Sequence, residues 1–169
     1  MVMTRYAREE RRLGLPVLRT PATEVRLVAA ESRDAGTEVN IVLTVRSDAR
    51  YLSLIRTVTV DMCGSLGLAD DIADGVKLAV GEAVANAMEH GSPNGSADSV
   101  TVVFGRTDDS LRVEIIDEGP GICMPIDIRK CRRRNRGFGL KLMESLMDKV
   151  YIEDAPRGTH LVMTKRLPN

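Results

Sequence analysis

The sequence predicts a two-layer α/β sandwich, with helices covering one face of a mixed, mainly antiparallel sheet. Strand-like and helix-like hydrophobic patterns alternate from residue 38 onward. Two pairs of strands are joined by short turns, which is typical of hairpins and therefore of antiparallel pairing. The chain of 169 residues is 43% hydrophobic but only 3% aromatic, so its core must be built from aliphatic side chains. The helices are expected to cover one face of such a sheet, which gives two layers.

The first half of this domain reads as a strand followed by two helices. Residues 39–45 have the hydrophobic pattern of a strand, and Ser47 is placed to cap the helix that follows. A second helix is expected to begin with a cap at Asp70 or Asp71 and to end at Gly91.

The second half reads as a hairpin, a helix and another hairpin. Strands over Ser99–Arg106 and residues 111–117 form the first hairpin. A helix follows near residues 140–148, and strands over residues 150–153 and 159–167 close the chain.

Residues 1–37 are predicted to be a flexible extension that precedes the folded domain of residues 38–169. They are rich in Arg, Glu and Thr, and Pro16 and Pro21 interrupt them. A short strand over residues 25–28 is compatible with the pattern.

The overall charge argues against a direct nucleic-acid binder, because Lys+Arg and Asp+Glu both number 24. No apolar run approaches the roughly 18 residues needed to cross a bilayer, and the charged start does not resemble a signal peptide. Three cysteines without a CxxC pair are typical of reduced thiols and disfavour a zinc site. We therefore expect a cytoplasmic protein that does not associate with membranes.

Four segments carry candidate chemistry, and the first is the end of the second helix. Glu82 and Asn86 are four residues apart, so they share one helix face. Taken alone, such a polar stripe is more often an ordinary solvated face.

The second segment follows a strand and begins at Asp117. A carboxylate can accept hydrogen bonds from an amine, while Gly119 and Gly121 let a ligand approach the backbone. The same residues would also suit an ordinary turn.

The third and fourth segments are short glycine motifs. Gly137, Phe138 and Gly139 precede Leu140 at the start of a helix, where backbone N–H groups bind phosphate well. Gly158 and Thr159 open the last strand. Each motif is weak evidence by itself.

Together, in this order and spacing, the four segments resemble the N, G1, G2 and G3 boxes of the GHKL ATPase superfamily, which has the Bergerat ATP-binding fold. The resemblance covers residues 40–167. It implies that Asn86 holds Mg²⁺ against the phosphates of ATP, that Asp117 recognises the adenine amine, and that glycines hinge a mobile lid. The nucleotide-binding residues it implies are Asn86, Asp117, Gly119, Gly121, Gly137, Phe138, Gly139, Leu140 and Thr159.

Within that superfamily, residues 82–91, 137–150 and 158–167 most resemble bacterial anti-sigma factor serine kinases of the RsbW and SpoIIAB type. The resemblance implies that Glu82 is the general base for a substrate serine. It also implies an anti-anti-sigma protein of the STAS type as substrate, a sigma factor as second partner, and a homodimer.

Other functions remain open at this point. The chain could be an ATP-gated binding module with little or no kinase activity, or a kinase whose target is unrelated to sigma factors. GyrB-like and MutL-like ATPases also place a Glu four residues before the Asn, but they need further domains. Sensor histidine kinases need a long helical hairpin with a phosphorylated His, which we do not expect here.

Three features concern the details of this resemblance. Gly81 stands where these kinases usually have Ser, and close packing is one explanation. Residues 123–136 form a short, arginine-rich lid, which is either a solvated loop or the source of a cation for the γ-phosphate. The first helix carries Arg56 and is similar to a helix that such kinases use to meet the sigma factor.

Overall fold

The computed structural model describes residues 25–34, 37–120, 138–153, 155 and 157–168. Within them, six strands form one sheet in the order β1-β2-β3-β4-β6-β5, and every neighbouring pair is antiparallel. The strands are β1 (Val25–Asp34), β2 (Thr37–Arg46), β3 (Ser99–Arg106), β4 (Ser110–Ile116), β5 (Lys149–Glu153) and β6 (His160–Arg166). The helices are α1 (Leu52–Ser65), α2 (Asp70–His90) and α3 (Phe138–Leu146).

The two layers meet in an aliphatic core, which confirms the predicted sandwich. From the sheet, alternate residues such as Leu43, Phe104 and Met163 are almost fully buried. From the helices, Ile55 of α1 and Val80 of α2 enter the same cluster. Because α2 packs against both α1 and α3 and reaches β3 and β4, it is the central element of the helical layer.

The predicted cap of the first helix is wrong. A short 3-10 turn over Ala49–Tyr51 precedes α1, and the Asp48 carboxylate, not Ser47, accepts the Arg50 N–H at 3.0 Å. The Ser47 hydroxyl donates instead to the Met88 carbonyl oxygen at 3.3 Å, which ties the end of β2 to α2.

The start of α2 also differs from the expectation, whereas its end agrees. Ala69 occupies the cap position, and neither Asp70 nor Asp71 caps the helix. Both carboxylates lie in the first turn, where negative charge favours the positive end of the helix dipole. Gly91 follows the last helical residue, as predicted.

The sheet begins inside the segment that the sequence assigns to the extension. The strand expected at residues 25–28 is present as part of the longer β1, which pairs with β2 from Val25 opposite Val45 to Asp34 opposite Thr37. Residues 1–24 lie outside the described residues, so the prediction that they are flexible stays a prediction.

Cys63 is a free thiol in the core. Burial raises the pKa of this thiol to about 11, so it stays protonated at neutral pH. Among the described residues, no helix is both long and apolar enough to span a bilayer.

Candidate active site

A buried carboxylate marks one end of the candidate site. Asp117 directly follows β4 and is 4% exposed. Its Oδ1 accepts hydrogen bonds from the backbone N–H of Gly119 and of Thr159, both at 3.0 Å. The Asp117 N–H in turn donates to the Thr159 carbonyl oxygen at 3.1 Å. Two segments that the sequence marked separately are thus joined around one side chain.

Among the described residues, the groups that donate to this carboxylate are neutral. Burial raises the pKa of Asp117, although the hydrogen bonds from Gly119 and Thr159 act in the opposite direction. A carboxylate has about four acceptor positions, so Asp117 can accept from a further donor besides these two N–H groups and the Thr159 hydroxyl. An amine is a donor of the kind that such a carboxylate can bind.

Three glycines allow the chain to pack tightly around Asp117. A Cβ at Gly91 would collide with the Asp117 carboxylate, and one at Gly119 would lie 2.6 Å from the Gly91 Cα. Gly158 has a φ of 76°, and a Cβ there would collide with the Asp117 carbonyl oxygen. The sequence pattern indicates Gly91 only as a helix end and does not reveal its contact with Asp117.

A cleft opens beside these glycines. Its volume is about 400 Å³, and it is lined by Pro93, Glu118, Gly119, Pro120, Arg157 and Gly158. The Arg157 Nε donates to the Glu118 carbonyl oxygen at 3.2 Å, which fastens the turn before β6 to the segment after β4. The cleft therefore lies directly against the loop that carries Asp117.

The other end of the site is the stripe of Glu82 and Asn86 on α2. Both side chains are half-buried, and the Asn86 amide Nδ2 donates to Glu82 Oε1 at 3.5 Å. The structure thus brings these two side chains together, as their spacing predicts.

The start of α3 approaches this stripe closely. A Cβ at Gly139 would collide with Glu82 Oε1 and would lie 3.0 Å from Asn86 Nδ2. Phe138 is 80% exposed, whereas Leu140 is half-buried against the core. The absence of a side chain at Gly139 therefore brings the first turn of α3 against Glu82 and Asn86, and helix N-termini of this kind favour phosphate.

The residues present fit a Mg²⁺ ion held between protein and phosphate. Because its amide nitrogen faces Glu82, Asn86 can turn its carbonyl oxygen toward a ligand, and amide oxygens suit this hard cation.

Helix α2 sets the separation of the two ends. Asn86 precedes Gly91 by five residues and Glu82 precedes it by nine, which corresponds to roughly 7 to 14 Å along the helix axis. An extended nucleotide can span such a distance, with its base at Asp117 and its phosphates near Gly139.

The glycine at position 81 has a structural explanation. Gly81 is buried, and the Arg56 Nε lies 2.9 Å from where a Cβ would stand. The Arg56 guanidinium therefore packs directly on α2, one residue before Glu82. A larger residue at this position would displace it.

Two predicted nucleotide-binding residues, Gly121 and Gly137, lie outside the described residues. The same holds for the lid of residues 123–136. Their predicted roles therefore stay predictions.

Comparison with protein families decides the broader class. The family described as "Histidine kinase-like ATPase domain" matches residues 45–165. This chain belongs to that family.

Curated relatives indicate which group of proteins within this family the chain resembles most. An anti-sigma F factor of Thermoanaerobacter sp. (strain X514) is 31% identical over 131 residues, which is 73% of this chain and 90% of the relative. The serine-protein kinase RsbW of Staphylococcus aureus is 31% identical over 136 residues, covering 74% of this chain and 85% of that protein. The RsbW of Bacillus subtilis (strain 168) is 28% identical over 137 residues, covering 75% and 85%. The chain is accordingly an ATP-binding protein serine kinase of the anti-sigma factor type.

Solved structures support the fold. The RsbU and RsbW domains of a Mycobacterium tuberculosis protein align with a TM-score of 0.56 at 22% identity, over 75% of this chain and 32% of that one. This chain thus spans about a third of that longer protein. A histidine kinase domain from Erythrobacter litoralis aligns with a TM-score of 0.50 at 18% identity, over 81% and 71%.

Proposed function

We propose that this kinase phosphorylates a serine of a small anti-anti-sigma protein of the STAS type and that it sequesters a sigma factor. The names of its relatives, anti-sigma F factor and serine-protein kinase RsbW, support this pair of partners. The observation that carries the proposal is the cluster of Glu82 and Asn86 on α2 with Gly139 of α3, because the end of α2 also packs against Asp117. That cluster puts a carboxylate at the end of the site that suits the γ-phosphate of ATP.

The two ends of the site have separate roles in this proposal. Asp117 accepts a hydrogen bond from the adenine amine, with Gly119 and Thr159 holding its carboxylate in place. The N-terminal turn of α3 binds phosphate oxygens through backbone N–H groups. Asn86 would hold a Mg²⁺ ion, which neutralises phosphate charge when bound.

Glu82 acts as the general base. Its carboxylate takes the proton from the substrate serine while the serine oxygen forms a bond to the γ-phosphorus. The bond between that phosphorus and the β–γ bridging oxygen breaks, and ADP leaves. The helical spacing keeps Glu82 on the same face of α2 as Asn86, whose Nδ2 lies 3.5 Å from Glu82 Oε1.

The location and assembly of the protein follow from its proposed partners. A sigma factor acts in the cytoplasm, so we place the kinase there, without nucleic acid or membrane as a direct partner. We also propose a homodimer, by resemblance to this group of kinases.

The Glu82→Gln substitution tests this function against its alternative. Gln keeps the size of the side chain but loses its basicity, so phosphotransfer should fall by about 10²–10⁴-fold while Mg·ATP binding persists. Glu89→Gln is the matched control, because Glu89 is an exposed carboxylate on the same helix. The assay uses [γ-³²P]ATP, a STAS-type protein encoded near this gene and phosphoserine mapping, with calorimetry for ATP binding.

Two outcomes would contradict the proposal. If the Glu82→Gln protein transfers phosphate at the wild-type rate, Glu82 is not the general base. A wild-type protein that binds ATP and the partner, yet transfers no phosphate, would instead be an ATP-gated binding module.

A further inference from the structure

Two apolar side chains are exposed on the outer surface of the helical layer. Leu78 of α2 is 48% exposed, and Val60 of α1 is 37% exposed. Single exposed apolar residues are ordinary on a protein surface and need no explanation by themselves. The position of these two relative to Glu82 gives them a possible use.

Leu78 lies one turn before Glu82 on α2. Four residues of an α-helix correspond to about 6 Å along its axis, and side chains at this spacing lie on the same face. Glu82 is half-buried, because the start of α3 at Gly139 approaches it closely. Leu78 is the more exposed of the two side chains, so a molecule that reaches Glu82 from outside also meets Leu78.

The contact between Arg56 and Gly81 fixes the position of Val60 relative to Leu78. A short connection joins α1 to α2, which makes the two helices antiparallel neighbours. Val60 lies one turn after Arg56 on the same face of α1, and Leu78 lies about one turn before Gly81 on α2. The two apolar side chains are therefore at the same level of the helix pair. We call Val60 and Leu78 together the helical patch.

The order of residues along α2 separates the helical patch from the nucleotide. Leu78 lies on one side of Glu82, whereas Asn86 and Gly91 lie on the other. The end of α2 at Gly91 is also where Asp117 packs. A contact at the patch therefore affects what approaches Glu82 from outside and not the binding of ATP.

The chemistry at Glu82 decides what lies over the patch during the reaction. A serine hydroxyl that gives its proton to this carboxylate must come within about 2.6–3.2 Å of it. The polypeptide on either side of that serine then lies on the surface around Glu82. An extended chain advances about 3.3 Å per residue, so two residues cover the roughly 6 Å to Leu78. Side chains two positions apart also point to the same side of an extended chain.

We propose that the helical patch binds an apolar side chain of the substrate protein, located about two residues from the serine that is phosphorylated. This inference rests on the proposed function, because it takes Glu82 as the general base. The side chain removes apolar surface of Val60 and Leu78 from water when the substrate binds, which favours the complex. The patch is thus a determinant of which serine is presented to Glu82.

Steady-state kinetics of a double variant, Val60→Gln with Leu78→Gln, test this proposal. Glutamine is polar and a good helix former, so the helices should persist. The KM for a STAS-type protein encoded near this gene should rise about tenfold, because an apolar contact is lost in the bound state. The kcat at saturating substrate and the KM for ATP should stay at the wild-type values.

Leu54→Gln is the matched control, because Leu54 is 38% exposed on α1. It lies two residues before Arg56, which is about 200° around the helix, so it points away from α2. Its KM for the protein substrate should equal that of the wild type, and circular dichroism verifies that all variants are folded.

A cycle with the substrate tests for direct contact. The apolar residues within two or three positions of its phosphorylated serine are replaced by Gln and assayed with the wild-type kinase and with the double variant. The substitutions should raise the KM for the wild type and have little further effect on the double variant. Independent, multiplicative effects on KM would contradict a direct contact.

The outcomes separate this proposal from the function on which it rests. If the wild type transfers phosphate and the folded double variant has an unchanged KM for the protein substrate, the proposal is overturned and the proposed function stands. If the double variant weakens only the binding of a purified sigma factor, the patch belongs to that partner and the proposal is also overturned. A wild-type protein that transfers no phosphate would contradict both.

Discussion

Two buried carboxylates, one within β4 and one just beyond its end, have opposite electrostatic environments. Glu114 lies in the middle of β4 on the sheet face opposite the helices, and Asp117 lies just beyond the end of that strand, in the candidate site. Burial acts to raise the pKa of Glu114, but His160 and Arg112 outweigh it and lower that pKa. Burial raises the pKa of Asp117, whose donors among the described residues are backbone N–H groups and a hydroxyl. The contrast separates a carboxylate with two cationic partners from one that, in the proposed function, accepts a hydrogen bond from the nucleotide.

The largest effect is expected from a substitution that fills the space occupied by the Asp117 carboxylate. In Gly91→Ala, the new Cβ collides with the Asp117 carboxylate, so we expect a loss of about 1–3 kcal/mol in unfolding free energy. ATP affinity should fall as well, because the carboxylate must move. Urea unfolding and calorimetry measure both effects.

Gly64→Ala is the control for that experiment, since no atom lies within 4 Å of where its Cβ would stand in α1. It should be neutral or slightly stabilising. Equal behaviour of the two variants would show that Gly91 has no special role.

Asp117→Asn removes the charge while it keeps the shape. We expect ATP affinity to fall about 10- to 100-fold, since hydrogen bonds to charged groups contribute roughly 1.5–3 kcal/mol. GTP binding and the circular dichroism spectrum should not change. If the wild type bound ATP and GTP equally, and the variant did too, Asp117 would have no adenine role.

Glu114→Gln should show the reverse pattern. Nucleotide affinity stays the same, whereas unfolding free energy falls by about 1–3 kcal/mol because Arg112 and His160 lose a charged partner. Differential scanning calorimetry of the nucleotide-free protein measures this. A Glu114→Gln protein as stable as the wild type would show that the buried ion pairs contribute little.

The smallest expected effect is that Glu114 and Asp117 change the unfolding free energy in opposite directions as the pH rises. The lowered pKa of Glu114 means that its stabilising contribution is complete above its ordinary pKa of 4.5 and is lost as the pH falls through the folded-state value. The raised pKa of Asp117 has the opposite sign, because ionisation opposes folding as the pH rises above its ordinary pKa of 3.8.

Urea unfolding at a series of pH values should therefore separate the two variants. Glu114→Gln should flatten the loss of stability in acid, whereas Asp117→Asn should lessen the loss that accompanies rising pH. Parallel curves for the wild type and both variants would contradict the opposite environments of the two groups.

The parts of the site that the sequence predicts are those set by local periodicity. Helical spacing places Glu82 beside Asn86, and the glycine motif places Gly139 at the start of a helix. Both relations hold within a few residues of chain, so a pattern can reveal them. The order of strands and helices follows from the same kind of local signal.

The parts that the sequence does not predict depend on contacts between distant segments. Gly91 meets Asp117 across 26 positions, and His160 meets Glu114 across 46. Arg112 and Glu114 alternate with Val113 along β4, and this local pattern does not reveal that Glu114 is buried.

The cap at Asp48 is a local feature that the sequence still does not predict. Ser47, one position earlier, has equally good capping chemistry, so residue type alone cannot choose between the two. The choice depends on where β2 ends, because the Ser47 hydroxyl is already bonded to the Met88 carbonyl oxygen.

Helix α2 has a consequence for which nucleotides this protein can distinguish. Its backbone holds the Asp117 end and the Glu82 end at a fixed separation, so the helix acts as a measure of ligand length. Adenosine would occupy the base end alone, whereas the phosphates of a longer nucleotide would extend toward Asn86 and Glu82. In the proposed function, discrimination among adenine nucleotides would therefore depend on the number of phosphates.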